Sequence, residues 1–274
     1  MSRSRTLPFL ALLSLTFACT GPDVPLLPSD PAGTVELAAA LGVDSPEVIG
    51  VTIDPVTGQR FVLDASAGLF ALLEDGSASL VRSQEDFPTP DVPAVSTWTD
   101  FAALGNNRFA VTARSNGYLL DLVEDTMTQY FCYEPGFMET QLEQLTEGVS
   151  FDQELGLLYA QPASYDVSGE SGPVDQAIEA AIASYTIDGG QPVAWFGIED
   201  IDFLAGGIAV DRDGSLLLGH GNELHRFIPE GDGRLELVGV LEDIGRVDGL
   251  TVDPQTGTLH IIDGEFGRLV QVTL

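Results

Sequence analysis

One pattern recurs along the chain and constrains its fold more than any other feature. Residues 50–58 read GVTIDPVTG, and residues 249–257 repeat them almost unchanged as GLTVDPQTG. Shorter copies begin at Gly148 and Gly207, and a degenerate copy begins at Asp100. Successive starts lie 50, 48, 59 and 42 residues apart, a spacing typical of the blades of a β-propeller.

Each repeat predicts four short antiparallel strands. In the first and last repeats, the first strand ends in an Asp-Pro-x-Thr-Gly turn, in which Asp accepts hydrogen bonds, Pro sets φ and Gly adopts the left-handed conformation. The residue two places after the opening Gly is small in four of the repeats: Thr52, Ser150, Ala209 and Thr251. Innermost strands that converge on an axis have room only for small side chains. We therefore predict an all-β, five-bladed β-propeller with four antiparallel strands in each blade.

The two ends of the chain predict how the ring closes. Residues 35–41 (VELAAAL) precede the first repeat as residues 235–241 (LELVGVL) precede the last, and the last repeat has only three strands. An N-terminal strand over residues 35–41 is therefore expected to complete the last blade, which removes both open sheet edges. This places a single propeller domain at residues 34–274.

Residues 1–18 have the features of an export signal. Arg3 and Arg5 precede an apolar stretch over residues 7–18, which is shorter than the roughly 20 residues that cross a bilayer. The stretch ends at Cys19 and resembles a bacterial lipoprotein signal, so we predict lipidation of Cys19 and a Pro-rich tether at residues 19–33. The protein is then exported and anchored in the cell envelope, facing the periplasm or the outer surface, and touches a membrane only through its lipid.

Cleavage after Ala18 without lipidation is the alternative. It gives a secreted soluble protein, in which Cys19 is free to pair with Cys132 in an oxidising compartment. If Cys19 is lipidated, Cys132 is left as a single thiol.

The charge of the chain narrows its choice of partners. Only 11 Lys and Arg residues stand against 42 Asp and Glu, for a net charge of -31. Such a surface repels the phosphate backbone of nucleic acids. We expect a monomer that binds a small molecule or a protein.

The long loops are expected at one end of the ring. In a propeller, the loops between blades and the loops between second and third strands share a face, here called the loop-rich end. They include residues 82–98, 133–146 and 161–183, and residues 173–183 have apolar spacing that predicts a short helix. The opposite end, here called the turn end, carries only tight turns and both termini. We therefore predict that ligands bind at the loop-rich end.

Polar side chains are predicted to ring the channel at the loop-rich end. Converging carboxylates imply a bound cation or raised pKa values, and oxygen donors suit Ca²⁺ or another divalent cation. An Asp at the end of a second strand can instead accept hydrogen bonds from the next turn, a loop acid can be merely solvated, and His220 can be structural. The candidates are Glu47, Glu147 and Asp248 beside an opening Gly, and Asp64, Arg114, Gln161, His220 and Asp263 at second-strand ends.

Two of the repeats resemble known propeller families. Residues 146–152 (TEGVSFD) are similar to the inner strands of gluconolactonase-like and phytase-like propellers, and residues 247–253 (VDGLTVD) are similar to those of NHL-type repeats. The resemblance implies that Glu147 is a metal ligand. Asn and Asp from other blades usually complete such a site, and Asn116 and Asn222 lie on suitable loops.

Two functions of different classes follow. The first is a non-catalytic propeller that binds a ligand or partner at the loop-rich end. The second is a metal-dependent lactonase-like or esterase-like hydrolase in which Glu147 and Asp248 hold the metal and His220 or Asp248 takes part in catalysis. No Gly-x-Ser-x-Gly motif occurs, and a propeller by itself implies no chemistry. The sequence therefore favours the binding function.

Overall fold

The computed structural model describes residues 24–88, 98–113, 116–132, 142–166, 177–187, 193–198, 205–229 and 231–274. At the N-terminus, two strands precede a short helix: β1 (Leu26–Leu27), β2 (Ser29–Glu36) and α1 (Leu37–Leu41). Four four-stranded units and a last unit of three strands follow in chain order. Among the described residues, no helix is long and apolar enough to cross a membrane.

The strands form five blades, which confirms the predicted five-bladed propeller. In each blade, consecutive strands pair antiparallel from the axis outward. Blade 1 contains β3 (Val48–Ile53), β4 (Arg60–Asp64), β5 (Gly68–Leu72) and β6 (Ala78–Ser83), and blade 2 contains β7 (Asp100–Gly105), β8 (Arg108–Ala113), β9 (Asn116–Asp121) and β10 (Thr126–Cys132). Blade 3 contains β11 (Leu142–Asp152), β12 (Leu157–Asp166), β13 (Ala177–Thr186) and β14 (Ala194–Gly197). Blade 4 contains β15 (Gly207–Val210), β16 (Leu216–His220), β17 (Glu223–Phe227) and β18 (Leu235–Leu241), and blade 5 contains β19 (Val247–Val252), β20 (Thr258–Asp263) and β21 (Arg268–Thr273).

An N-terminal strand closes the ring, but it lies earlier in the chain than the sequence predicted. Strand β2 pairs antiparallel with β21 and completes blade 5, and of the predicted residues 35–41 it includes only Val35 and Glu36. Leu37–Leu41 is helical because Leu37 and Leu41 are buried on one side and Gly42 ends the helix in the left-handed conformation. The run of Ala between them favours a helix over a strand.

The domain also begins earlier than residue 34. Strand β1 pairs parallel with β18 and adds a fifth strand to blade 4. Leu26 and Leu27 thus belong to the propeller, as does the part of β2 before residue 34. The tether predicted at residues 19–33 therefore ends too late in the chain, because strands begin at Leu26.

The predicted helix at residues 173–183 is wrong over the part that the structure describes. Ala177–Thr186 forms β13, which pairs with β12 on one side and β14 on the other. Ala181, Ile182 and Ala183 are all buried, so the segment is apolar on both faces. A continuously apolar run is compatible with helical and strand periodicity alike, and pairing on both sides decides for the strand.

The three predicted long loops fall partly outside the described residues, namely at 89–97, 133–141 and 167–176. The described parts of the third, residues 161–166 and 177–183, belong to β12 and β13 rather than to a loop. In the first, the described part includes the end of β6 and a 3₁₀ helix over Gln84–Asp86. In the second, Leu142 to Thr146 belong to β11.

Hydroxyl groups two places after the opening Gly connect neighbouring blades. The Thr52 hydroxyl accepts a hydrogen bond from the backbone N–H of Ala103 at 2.9 Å, and the Ser150 hydroxyl accepts one from Val210 at 3.1 Å. Inner-strand N–H groups that face the axis have no strand partner there, and a buried N–H without an acceptor is costly. A small hydroxyl side chain therefore meets both the spatial limit and the hydrogen-bonding need.

The opening glycines allow the inner strands to approach closely at the loop-rich end. A Cβ atom at Gly249 would lie 2.9 Å from the Cα of Gly50, and one at Gly207 would lie 2.8 Å from the Cα of Gly249. These positions, with Gly148 and Asp100, are here called the collar. At its glycine positions, the collar leaves no room for a side chain between neighbouring inner strands. Asp100 is the one member of the collar that carries a side chain.

Candidate functional site

The structure brings Glu47 and Asp248 together at the loop-rich end, in a cleft of about 180 Å³ that Arg246 also lines. Arg246 binds Asp248 through two hydrogen bonds, from Nε to Oδ1 at 2.5 Å and from a terminal nitrogen to Oδ2 at 2.6 Å. This pairing raises the pKa of Arg246. The cation beside Asp248 is therefore the protein's own guanidinium. Glu47 is exposed at the same cleft.

Asp64 and Asp263 are fully buried at the ends of β4 and β20. Oδ1 of Asp64 accepts hydrogen bonds from the backbone N–H groups of Ser66 and Ala67, at 3.0 and 2.7 Å. Asp263 accepts a hydrogen bond from the Nε of Arg268 at 3.1 Å, and longer ones from backbone N–H groups of the preceding loop. In the described residues, both carboxylates thus act as acceptors for turns and an arginine, as in the structural alternative.

The remaining candidates lie in different surroundings. Gln161 is fully buried, and its Oε1 accepts a hydrogen bond from the backbone N–H of Ala205 at 3.2 Å, which ties blade 3 to the start of blade 4. His220 is exposed at the end of β16. Asn116 is buried and accepts a hydrogen bond from Gln129 at 2.9 Å. Asn222 is exposed in the turn that follows β16.

Several predicted residues cannot be placed fully. Arg114 and Cys19 lie outside the described residues, and Glu147 and Cys132 are described only as backbone in β11 and β10. Within the described part of the chain, no three His, Cys, Asp or Glu side chains lie together in a group that could hold a metal ion. The predicted metal site at Glu147 and Asp248 therefore stays a prediction.

Asp100 is a buried acid that the sequence analysis missed. Its two carboxylate oxygens accept hydrogen bonds from the backbone N–H groups of Phe101, at 2.8 Å, and Val149, at 2.9 Å. Burial raises the pKa of Asp100 well above its usual range, and these two hydrogen bonds oppose the shift. The repeat carried the signal, because Asp100 stands where the other four repeats have Gly.

A second cavity lies at the turn end, which the sequence analysis described as only tight turns. It has a volume of about 540 Å³ and lies along the axis beyond the collar, at the C-terminal ends of the inner strands. Hydroxyls of Thr52, Ser150 and Thr251 line it, and the turns add charged side chains: Asp152, Glu154, Asp211 and Arg212. The turn sequences DQELG and DRDGS carry these charges, which is the signal that was available in the sequence.

Comparison with known proteins identifies the fold and leaves the family open. No protein-family model matches the chain, and no curated protein matches it in sequence. Solved structures similar to it include regucalcin, a calcium-binding protein of Agrobacterium tumefaciens, at 10% identity and a TM-score of 0.52, with 91% of this chain and 95% of that chain covered. A gluconolactonase of Xanthomonas campestris is 14% identical with a TM-score of 0.52, over 83% of this chain and 76% of that chain. At these identities the likeness is one of fold, and it supports the predicted β-propeller architecture.

Proposed function

We propose that this protein is a binding propeller that recognises a ligand or partner at its loop-rich end without catalysing a reaction on it. The observation that carries the proposal is that two of the described carboxylates there pair with arginines of the protein itself. Asp248 is paired with Arg246, and Asp263 with Arg268. A catalytic acid, base or metal ligand needs a lone pair that is open to the substrate or ion.

The shape of this end supports recognition rather than chemistry. The collar brings the inner strands together, and the described surface at this end offers the small cleft at Glu47, Arg246 and Asp248 and a groove of about 740 Å³ that Asp243, Glu265 and Arg268 help to line. Enzymes usually work in a concave pocket that excludes water. A cleft with both charge signs at the surface suits an interface, where paired charges set orientation and partner choice.

The test is cross-linking of the protein in the cell envelope, followed by mapping of the linked peptides. Arg246→Ala should abolish a cross-link at the loop-rich end, because the cleft then loses its cation. Arg234→Ala is the matched control, since Arg234 is exposed on the opposite, turn-end side of blade 4. Cross-links that persist in Arg246→Ala, or that map only to the turn end, would contradict the proposal.

The second candidate is the metal-dependent hydrolase, with Ca²⁺ or another divalent cation at Glu147 and Asp248. Its support is the resemblance at Glu147 and the likeness in fold to a calcium-binding protein and a gluconolactonase. An ion at Asp248 would have to displace Arg246 from both carboxylate oxygens. That competition is why we place this function second.

A melting experiment separates the two candidates. A ligand bound only by the folded state adds about 2.7 kcal/mol at a hundredfold excess over Kd. We expect calcium to raise the melting temperature no more than sodium does at equal ionic strength, because both ions screen the net charge of -31. A rise specific to calcium that Glu147→Gln and Asp248→Asn abolish, with Glu74→Gln as the control, would favour the hydrolase.

We also propose that the protein is exported and anchored by lipid at Cys19. Because β1 begins at Leu26, only residues 20–25 link Cys19 to the propeller, and they reach at most about 21 Å when extended. The tether would therefore hold the domain near the membrane surface. Intact-mass spectrometry of the mature protein should show a diacylglyceryl group on Cys19, whereas an unmodified chain that begins at Cys19 would indicate a secreted soluble protein.

A further inference from the structure

The cavity at the turn end is a built pocket rather than a gap between loops. Its volume of about 540 Å³ lies within the range of pockets that bind small molecules. Residues from all five inner strands or their turns line it, among them Thr52, Ala103, Ser150, Val210 and Thr251. No collar residue is among the lining residues, so a ligand would enter from the turn end.

The hydroxyls in this cavity offer donors. Thr52 and Ser150 already accept hydrogen bonds from backbone N–H groups of the next blade. A hydroxyl that accepts one hydrogen bond can still donate one through its O–H. A ligand at these positions must therefore supply acceptor oxygens, such as carbonyl groups.

Charges of opposite sign lie on different blades around the cavity. In the turn of blade 3, Asp152 is buried and uses Oδ1 for the backbone N–H groups of Glu154 and Leu155. Both of these bonds fall on Oδ1, so Oδ2 remains an acceptor. Glu154 is exposed beside it, and its carboxylate makes no ion pair with the described residues. Together they form a negative side of the pocket.

Arg212 provides the positive side. Its guanidinium donates to the carbonyl oxygen of Gln255 and packs over Gly257, so it lies between blades 4 and 5. Arg226 binds the neighbouring Asp211 at 3.4 Å. A guanidinium carries five N–H donors, and the described residues engage Arg212 through this one carbonyl. The remaining donors suit a carboxylate, which guanidinium binds through two parallel hydrogen bonds.

This arrangement excludes simpler ligands. An anion would meet Asp152 and Glu154 and the field of a chain with a net charge of -31. A simple amine would leave Arg212 unmatched and has no acceptor for the hydroxyls. A ligand with an ammonium at one end, a carboxylate at the other and carbonyl oxygens between them matches every group named.

We propose that the turn-end cavity binds a zwitterionic ligand of the short-peptide class, with both termini free. Asp152 and Glu154 hold the ammonium, Arg212 holds the carboxylate, and Thr52 and Ser150 donate to the carbonyl oxygens between them. This site is separate from the loop-rich end and does not depend on the function proposed there.

The test uses three forms of one peptide, measured by calorimetry and saturation-transfer NMR on the mature protein. They are L-Ala-L-Ala-L-Ala, its N-acetyl form and its C-terminal amide. We expect the free peptide to bind at least about tenfold more tightly than either capped form, because each cap removes one charge-assisted hydrogen-bonding group.

Substitutions at two exposed residues test which terminus of the peptide each side of the cavity binds. Glu154→Gln should remove most of the preference for the free amine over the acetylated form, and Arg212→Gln should remove most of the preference for the free carboxylate over the amide. Glu85→Gln, which changes the same charge at an exposed position of the loop after β6, should alter neither preference, and equal melting temperatures would confirm folding. Absence of binding by the free peptide, equal binding of the capped forms, or unchanged preferences in both variants would each overturn the proposal.

Discussion

Deletion of residues 1–36 is expected to destabilise the whole propeller rather than one blade. The deletion removes β1 and β2, and β2 supplies the hydrogen-bonded neighbour of β21 that closes the ring. Leu269 and Val272 of β21 are fully buried, and an open blade exposes this strand along its edge. We expect a loss of at least about 4 kcal/mol, which lowers the melting temperature of a domain of this size by about 8–16 °C.

Two shorter deletions serve as controls. Removal of residues 1–23 leaves both strands in place, so its melting temperature should equal that of the mature protein. Removal of residues 1–28 takes away only β1, which is an extra strand on blade 4, and should have an intermediate effect. If all three deletions melt at the same temperature, β2 does not close the ring in solution.

Asp100→Gly is expected to be the most damaging single change in the collar, although it restores the residue that the other four repeats carry. The variant leaves the backbone N–H groups of Phe101 and Val149 without their acceptors. Each buried, unpaired donor costs about 1–3 kcal/mol, so the free energy of unfolding should fall by about 2–6 kcal/mol. Equal stability of variant and parent in urea unfolding would show that the carboxylate does not hold these strands.

Asp100→Asn is the matched control and tests the protonation of this acid. Burial raises the pKa of Asp100, so the folded state binds a proton more tightly than the unfolded chain, whose Asp pKa is about 3.9. Protonation of Asp100 contributes fully to the free energy of unfolding below the pKa of the unfolded chain. This contribution is lost as the pH rises through the pKa of the folded state. The parent should therefore lose stability relative to Asp100→Asn as the pH rises from about 4, and parallel pH profiles would contradict this.

His260 makes the free energy of unfolding change with pH in the opposite direction. Comparison of the parent with Asp100→Asn cancels this contribution. Burial lowers the pKa of His260 to about 4, so its contribution is complete above the unfolded pKa of about 6.5 and is lost as the pH falls towards 4. The residue is present in both the parent and Asp100→Asn. The difference between the two pH profiles therefore isolates Asp100.

The fold was predictable from the sequence because its signals are local. A turn such as the one after Ile53 is specified by Asp54, Pro55 and Gly58 within a few residues, and Asp54 accepts hydrogen bonds from Val56 and Thr57 in the structure. The strand-and-turn repeat that contains it recurs at blade spacing, which was enough to predict the number of blades and the order of their strands. The need for small residues along the axis followed from the same repeat.

Local signals failed where two structures satisfy the same pattern. The apolar run that includes Ala181 and Ile182 is consistent with a helix or a buried strand, and strands β12 and β14 on its two sides decide for the strand. Similarly, residues 35–41 resemble a closing strand in composition. The burial of Leu37 and Leu41 and the left-handed Gly42 make most of that segment a helix, so the strand moves to β2.

The sequence by itself determined a five-bladed ring, its small-residue axis and the acidic surface. Only the tertiary structure decided which polar groups of different blades meet, because those contacts join residues that are more than 40 positions apart. Asp100 accepts a hydrogen bond from Val149 of the next blade, and Arg212 donates to the carbonyl of Gln255. The axial cavity therefore lies at the turn end, which looked featureless in sequence. Closely approaching glycines bring the inner strands together at the loop-rich end, and the charged side chains of the turns converge around the axis at the turn end.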